Sequence, residues 1–135
     1  MSDPVLKLFH RELERDRLAD SYLLIGASRP RLSQLASKFS SLVLGNTQAV
    51  TQHPDFLILD PKELGVRGLK VEHIADRNGQ RSSLEESLKY KPLQGSRRAV
   101  VLLDVDRMTP DAQAAFLKTA EEPPDGTIFF LTAAD

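Results

Sequence analysis

Four short apolar runs, separated by segments with helical periodicity, constrain the fold of this chain more than any other feature. They occupy residues 22–25, 56–59, 99–103 and 127–131. Each run has the length and composition of a buried strand. Helical segments between strands are typical of parallel sheets that carry helices on both faces. The sequence therefore predicts an α/β, three-layer fold with a mainly parallel sheet.

The segments between the runs have the spacing of amphipathic helices. Val5, Phe9 and Leu13 recur at helical spacing and predict a first helix that ends near residue 18. A second helix is predicted after the first strand, ending at Gly45. A third helix is predicted over 112–121 between Thr109-Pro110 and Pro123-Pro124, with weaker helical signals over 71–76 and 84–90 and a capping box at Ser83 and Glu86.

Composition excludes several classes of protein. The chain has 135 residues, of which 41% are hydrophobic and 27% charged, as in an ordinary soluble domain. A net charge of −1 predicts weak binding to nucleic acid by this chain alone. The absence of cysteine excludes disulfides and thiolate zinc sites. No apolar run approaches the ~20 residues that span a bilayer, so we expect no membrane association and a cytoplasmic location.

The turn after the first strand stands where a phosphate-binding loop belongs. That loop normally reads G-x-x-x-x-G-K-[ST], in which backbone amides and the lysine bind phosphates and the hydroxyl binds Mg²⁺. Gly26 and Ser33 match this pattern, whereas Arg31 replaces the second glycine and Leu32 replaces the lysine. Pro30 removes one amide donor as well. The pattern predicts a degenerate site that binds no nucleotide.

The end of the third strand tests the same prediction independently. Phosphate-loop proteins carry acidic residues there to hold Mg²⁺ and to orient water. Here Leu103 is followed by Asp104, and a lone aspartate serves as readily as a turn residue as it does as a metal ligand. Two alternatives stay open: Arg29 or Arg31 could hold an anion in another geometry, or the segment is an ordinary strand-to-helix turn.

No other catalytic constellation is present in the sequence. His10, His53 and His73 are far apart along the chain and are expected to be surface or loop residues. Acidic residues at a helix C-terminus oppose the helix dipole, at a cost of about 0.3–1 kcal/mol each. Glu121 and Glu122 stand there, and with Lys118 they are candidates for a partner interface, the alternative being a solvated helix end. We therefore predict no catalytic residue and no metal site.

The segment from Val100 to Asp125, VVLLDVDRMTPDAQAAFLKTAEEPPD, resembles a stretch shared by bacterial clamp-loader subunits of the AAA+ family. In that family a Walker B strand precedes a helix that ends in a close variant of LLKTLEEPP. His53-Pro54-Asp55 before the second strand, and Lys91-Pro92 with Gly95 before the third, fall in the same order as in the family. The resemblance thus covers nearly the whole chain.

Within this family, the gamma/tau subunits of DNA polymerase III keep the phosphate loop, a Walker B Asp-Glu pair and a zinc module, whereas the delta-prime branch often loses nucleotide-binding residues. This sequence resembles the delta-prime branch. By resemblance, Leu103 occupies the position of the Mg²⁺-binding aspartate and Asp104 that of the glutamate. No cysteine stands between Gly45 and His53, where the zinc module would lie. The resemblance therefore implies neither an ATP nor a zinc cofactor.

The resemblance implies a non-hydrolysing subunit of a DNA-directed DNA polymerase complex. Its partners would be the gamma/tau and delta subunits, with the sliding clamp and primed DNA engaged indirectly through the complex. Residues 1–135 would form a truncated first AAA+ domain, monomeric alone. The family's Ser-Arg-Cys motif, helical lid and oligomerisation domain would all lie beyond Asp135. Two alternatives stay open: an active ATPase, either gamma/tau-like or an unrelated AAA+ motor, and an AAA+ remnant that acts as an interaction module outside replication.

Overall fold

A computed structural model describes residues 4–45, 48–75 and 83–135 of the chain. Strands and helices alternate, as the apolar runs predict. In chain order the elements are α1 (Pro4–Glu14), β1 (Ser21–Gly26), α2 (Arg29–Val43), β2 (Phe56–Leu59), α3 (Pro61–Leu64), α4 (Val71–Ile74), α5 (Leu84–Ser87), β3 (Arg98–Leu102), α6 (Pro110–Glu121) and β4 (Thr127–Ala134). Two short 3₁₀ turns lie at Val50–Gln52 and Val105–Arg107.

The four strands form one parallel sheet in the order β1-β4-β3-β2. All five residues of β3, a central strand, are buried, whereas exposed and partly buried residues alternate along the edge strand β1. A strand covered on both faces reads as a continuous apolar run, and this pattern made β3 easy to find in the sequence. The prediction of a parallel α/β sheet is confirmed.

Apolar clusters cover both faces of the sheet. Successive residues of β3 alternate between them, because side chains on a strand point to opposite faces. Val101 packs with Phe9 of α1 and Phe39 of α2, whereas Val100 packs with Phe116 of α6. Phe9 stacks on Phe39 with ring centroids 4.5 Å apart. The predicted three-layer arrangement is therefore present.

Several element boundaries differ from the prediction. Helix α1 ends at Glu14 and not near residue 18, and Asp16, two residues on, has a left-handed backbone with a φ of 52°. That conformation cannot continue a right-handed helix. Strand β4 extends to Ala134, and the Asp135 amide still donates to the Gly26 carbonyl oxygen at 2.9 Å. The pairing with β1 thus carries β4 beyond its apolar run.

One short helix, α3, was not predicted, although the sequence contains residues that start and end a helix. In α3, the Asp60 side chain accepts a hydrogen bond from the Lys62 amide at 3.0 Å, and Pro61 occupies the first turn. Gly65 ends the helix in a left-handed conformation with a φ of 71°. An Asp-Pro start and a glycine stop are standard helix boundaries. Four residues are too few to show helical periodicity, so the pattern was not visible.

The predicted cap at Ser83 is present, since its hydroxyl accepts from the Glu86 amide at 3.2 Å. Asp76, at the end of the first weak helical signal, lies outside the described residues, as do Asn78 and Gly79 between the two signals. Within the described part of the chain, no helix is long and apolar enough to cross a membrane.

Candidate functional site

The carboxyl ends of the strands bring the two predicted motifs together. Parallel strands end at the same edge of a sheet, where open α/β proteins bind their ligands. The turn after β1 begins at Gly26, and Asp104 follows β3 with a left-handed backbone, at a φ of 60°. The sequence placed both segments at this edge, and the structure places their side chains in contact.

The turn itself is shaped by Leu32, in the first turn of α2. Leu32 is only 7% exposed, and a Cβ added at Gly26 would lie 3.2 Å from its Cδ2 atom. Leu32 thus fills the space beside the glycine and belongs to the apolar core. At the position of the family's lysine, the chain has a packing residue.

The N-terminus of α2 is capped from within the turn. The Ser28 hydroxyl accepts a hydrogen bond from the Arg31 amide at 3.3 Å, and Pro30 has no amide hydrogen to donate. Free amides at a helix N-terminus are what binds phosphate in phosphate loops. Here one is occupied and one is missing. The Arg31 side chain is exposed, and Ser33 is partly buried.

Arg29 joins the turn to the segment after β3. Its Nη1 donates to Asp104 Oδ1 at 2.6 Å, and its Nη2 donates to Asp106 Oδ2 at 2.9 Å. These hydrogen bonds, the one to Asp106 most strongly, raise the pKa of the Arg29 guanidinium above its ordinary value. The hydrogen bond from Arg29 in turn lowers the pKa of the Asp106 carboxyl, against a smaller opposing effect of burial. The Arg29 guanidinium and the Asp106 carboxylate are therefore both charged at neutral pH.

Strand β4 holds the same two aspartates in place. The Asp104 amide donates to the Thr132 hydroxyl at 3.0 Å, and the Ala134 amide donates to Asp106 Oδ1 at 3.3 Å. Leu103, by contrast, is a buried apolar residue that packs in the cluster with α1 and α2 and also borders the cleft beside Arg29. The position that the resemblance gives to the Mg²⁺-binding aspartate is therefore filled by a core side chain.

A cleft of about 580 Å³ lies beside this ion pair, between α2, α3 and the end of β3. Arg29, Ser33 and Asp104 line one side of it, and Arg67 and Arg107 also contribute to its lining. A second cleft of about 390 Å³ lies between α1 and α2, bordered by the turn, Arg31 and Lys38. The two clefts share no lining residue.

Sequence reasoning found most of this site but missed how it is held together. Asp106 was not proposed as a site residue, and Arg29 was considered only as an anion ligand. The sequence did contain a signal for this contact. Asp104 and Asp106 follow β3, whose carboxyl end must lie beside the turn that contains Arg29. The contact joins residues separated by 75 and 77 positions, which a single sequence does not pair.

The other candidate residues lie away from this edge. Lys118, Glu121 and Glu122 are exposed at the last turn of α6, which leads back toward the amino ends of the strands. His53 Nδ1 accepts from the Asp55 amide and His73 Nδ1 accepts from the Lys70 amide, so both serve local turns. No cluster of three or more His, Asp or Glu side chains suited to a metal ion occurs among the described residues.

Comparison with known proteins gives a consistent result. A family model described as DNA polymerase III, delta subunit, matches residues 1–135. The chain is 25% identical over 141 aligned positions to the DNA polymerase III subunit delta' of Bacillus subtilis strain 168, covering 94% of this chain and 40% of that protein. Its fold is similar to the crystal structure of a DNA polymerase III gamma subunit-related protein from Thermotoga maritima, with a TM-score of 0.72 and 25% identity over 96% of this chain and 39% of the other.

The chain therefore spans about two fifths of the length of each of these two relatives. Because the family match extends over every residue and the parallel sheet matches that of the gamma-related structure, the sequence and the fold give the same assignment. The chain belongs to the DNA polymerase III delta-subunit family and has the AAA+ fold of the clamp-loader proteins.

Proposed function

We propose that this domain is part of a non-hydrolysing, delta-prime-type subunit of the DNA polymerase III clamp loader. In this role it helps to load the sliding clamp onto primed DNA while neighbouring subunits hydrolyse ATP. The observation that carries the proposal is the contact of Arg29 with Asp104 and Asp106. This contact pairs a cation of the turn with both acidic groups at the end of β3, so those carboxylates already have a counter-charge.

The residues present do not fit Mg-ATP. A nucleotide site of this kind needs a lysine for the phosphates, free amides around them and a carboxylate for the metal. Leu32 and Leu103 are buried apolar side chains at the lysine and metal-ligand positions, and Ser28 occupies one amide. An incoming Mg²⁺ would also have to displace the Arg29 guanidinium from Asp104. These features support a role in which the domain contributes structure and contacts rather than chemistry.

The proposed partners are the gamma/tau and delta subunits, with the clamp and DNA engaged through the assembled complex. Family membership supports a place in this complex. The end of α6 supports a contact there, because Lys118, Glu121 and Glu122 are exposed while Ala112 and Phe116 on the same helix are buried. This division of α6 into buried and exposed residues supports the choice of Lys118, Glu121 and Glu122 as interface candidates.

Calorimetric titration of the full-length protein with ATP and a non-hydrolysable analogue, with and without Mg²⁺, tests the nucleotide-site proposal. We expect no measurable Mg-dependent binding. The Leu32→Lys variant should gain only a loose attraction of about 1 kcal/mol, since the other defects remain. A combined Arg31→Gly and Leu32→Lys protein should still lack hydrolysis. Micromolar Mg-dependent binding by the unmodified protein would instead identify an active, gamma-like ATPase.

Reconstitution with gamma/tau and delta subunits tests the assembly role. Charge reversal at Lys118 or Glu121 should impair assembly or clamp loading more than it lowers the unfolding midpoint in urea. Charge reversal at Glu63, which is exposed on α3 at the opposite edge of the sheet, is the matched control. Normal loading by both α6 variants would return these side chains to an ordinary solvated surface. Failure of the unmodified protein to join the complex would favour an interaction module outside replication.

A further inference from the structure

The loop from residue 88 to residue 97, which precedes β3, is anchored to the interior of the protein. The Asp55 carboxylate is 3% exposed and accepts two backbone hydrogen bonds, from the Leu93 amide at 2.5 Å and from the Gln94 amide at 2.8 Å. Arg98, itself buried, donates from Nη2 to the Tyr90 carbonyl oxygen. The loop backbone is therefore fixed at both ends by buried charged groups.

Asp55 and Arg98 also compensate each other electrostatically. Burial lowers the pKa of the Arg98 guanidinium, and the negative charge of Asp55 opposes that effect. Asp55 is further positioned by His53, whose Nδ1 accepts its backbone amide at 3.0 Å. Buried charges are costly unless they are paired and hydrogen-bonded. Here the loop backbone supplies part of that hydrogen bonding.

Although its backbone is held inward, the loop directs two large side chains outward. Tyr90 is 67% exposed and Leu93 is 77% exposed, the highest values among the large apolar residues described. A single exposed leucine on a protein surface is ordinary. A tyrosine and a leucine three positions apart on an anchored backbone differ from that case, because the fold itself prevents them from turning into the core. Association with a pre-ordered loop of this kind costs little conformational entropy.

The charges around the loop indicate the kind of partner. The segment from residue 88 to residue 98 contains four basic residues and no acidic one. Two of the four are paired in the structure, Lys89 with Glu86 at 2.7 Å and Arg97 with Asp16 at 2.7 Å. Arg98 is buried, so Lys91 is the cation left for an external ligand. One cation provides little phosphate neutralisation, which favours a protein surface over DNA.

We propose that Tyr90, Leu93 and Lys91 form a docking site for another subunit of the clamp loader, which would offer an apolar pocket with acidic side chains at its rim. The partner's identity rests on the proposed function. The loop lies at the amino ends of the strands, on the opposite edge of the sheet from Arg29. The last turn of α6, with Glu121, returns to this same edge. A partner bound here leaves the cleft beside Arg29 open.

The test uses full-length protein and purified gamma/tau and delta subunits from the same organism. Dissociation constants are measured for the unmodified protein, for Tyr90→Ser, for Leu93→Ser and for the double variant. Interface residues of this kind commonly change affinity by about 30-fold when truncated, so we expect losses of about 10- to 30-fold for each single variant. The control is Leu8→Ser, since Leu8 is an equally apolar side chain, 58% exposed, on α1. It should bind like the unmodified protein.

The Lys91→Glu variant tests the charge of the partner. This variant should bind the partner subunit more weakly than the unmodified protein does. High salt should reduce the difference between the two proteins. Urea unfolding midpoints of all variants should coincide, because the altered side chains are exposed. If the unmodified protein assembles and the double variant binds equally well, the docking site is contradicted but the proposed function is not. Failure of the unmodified protein to bind either subunit contradicts the proposed function as well, and a loss of primed-DNA binding without loss of subunit binding assigns the loop to DNA.

Discussion

Two edges of the same sheet use arginine and aspartate in different ways. At the carboxyl edge, Arg29 bridges Asp104 and Asp106 in partly exposed positions beside an open cleft. At the amino edge, Arg98 and Asp55 are buried and bind the backbone of a surface loop. The first arrangement gives two carboxylates a shared counter-charge and leaves the site accessible, whereas the second is closed to solvent and orders the loop above it.

The difference is one of desolvation. A partly exposed ion pair exchanges water for a partner at little net gain, commonly about 0–1 kcal/mol. When one partner of a buried ion pair is removed, no water can take its place beside the remaining charge. Breaking a buried pair is therefore far more costly. We therefore expect substitutions at the carboxyl edge mainly to change ligand binding, and substitutions at the amino edge mainly to lower the free energy of unfolding. The following variants test that division.

The largest loss of stability is expected for Asp55→Ala. The change leaves the buried Arg98 guanidinium without its compensating charge and two loop amides without their acceptor, so we expect a loss of about 3 kcal/mol in the free energy of unfolding. Urea denaturation followed by circular dichroism measures it. Asp125→Ala, in an exposed turn, is the control and should change the midpoint little. A loss below 1 kcal/mol for Asp55→Ala would erase the contrast between the two edges.

A smaller loss is expected for Leu32→Lys at the carboxyl edge. The substitution places an ammonium group where a buried side chain packs beside Gly26. We expect a loss of about 2 kcal/mol, because the longer lysine can carry its charge toward the cleft between α1 and α2, which Leu32 lines. Leu32→Met keeps the volume and should cost less than about 1.5 kcal/mol. Equal stability of the lysine variant and the unmodified protein would show that this position tolerates charge and would weaken the packing argument.

The Arg29→Ala variant should lose still less of its free energy of unfolding, about 1 kcal/mol or under, because the ion pair is partly exposed. A double-mutant cycle with Asp104→Asn isolates the pair energy, since asparagine tolerates the left-handed backbone of Asp104 while removing its charge. The coupling energy should shrink as salt is added. A coupling energy that does not change with salt would show that water is excluded from the pair, as it is at the amino edge.

The smallest effect is a pH dependence that comes from Asp106. Arg29 lowers the pKa of this carboxyl in the folded protein, so its contribution to stability is present above the unfolded pKa, near about 4, and is lost as the pH falls through the lowered folded value. Comparing urea midpoints at about pH 5 and pH 3 for the unmodified protein and Arg29→Ala cancels the acidic groups that Arg29 does not contact, and Asp104→Asn in both proteins removes the other carboxylate that it does contact. The variant should lose less stability on acidification. Parallel losses would contradict the assigned cause.

Prediction from sequence worked best for the central strands. The run at residues 99–103 was placed within one residue of β3, because a strand buried on both faces must be apolar throughout. Prediction was weaker where local and tertiary forces compete. Strand β4 continues past its apolar run because β1 pairs with it, and α1 ends early because Asp16 adopts a left-handed conformation. Neither cause is visible as hydrophobic periodicity.

The candidate site shows the same division. The predicted replacement of the lysine by Leu32 came from the phosphate-loop pattern, and that of the Mg²⁺-binding aspartate by Leu103 came from the family resemblance. That Leu32 packs against Gly26 could not be predicted, because a side chain's direction depends on the space its neighbours leave. The residues between Lys62 and Gly95 gave only weak helical signals in the sequence. The anchored loop with Tyr90 and Leu93 was therefore not predicted.

The sequence by itself determined the layered parallel fold, the clamp-loader family and the absence of the phosphate-binding lysine. These properties follow from residue types and their spacing along the chain. Only the tertiary structure decided that Arg29 pairs with Asp104 and Asp106, and that Asp55 holds the loop before β3. The reason is distance along the chain: these contacts join residues 38 to 77 positions apart. Such groups come within hydrogen-bonding range only after the sheet has brought its edges together.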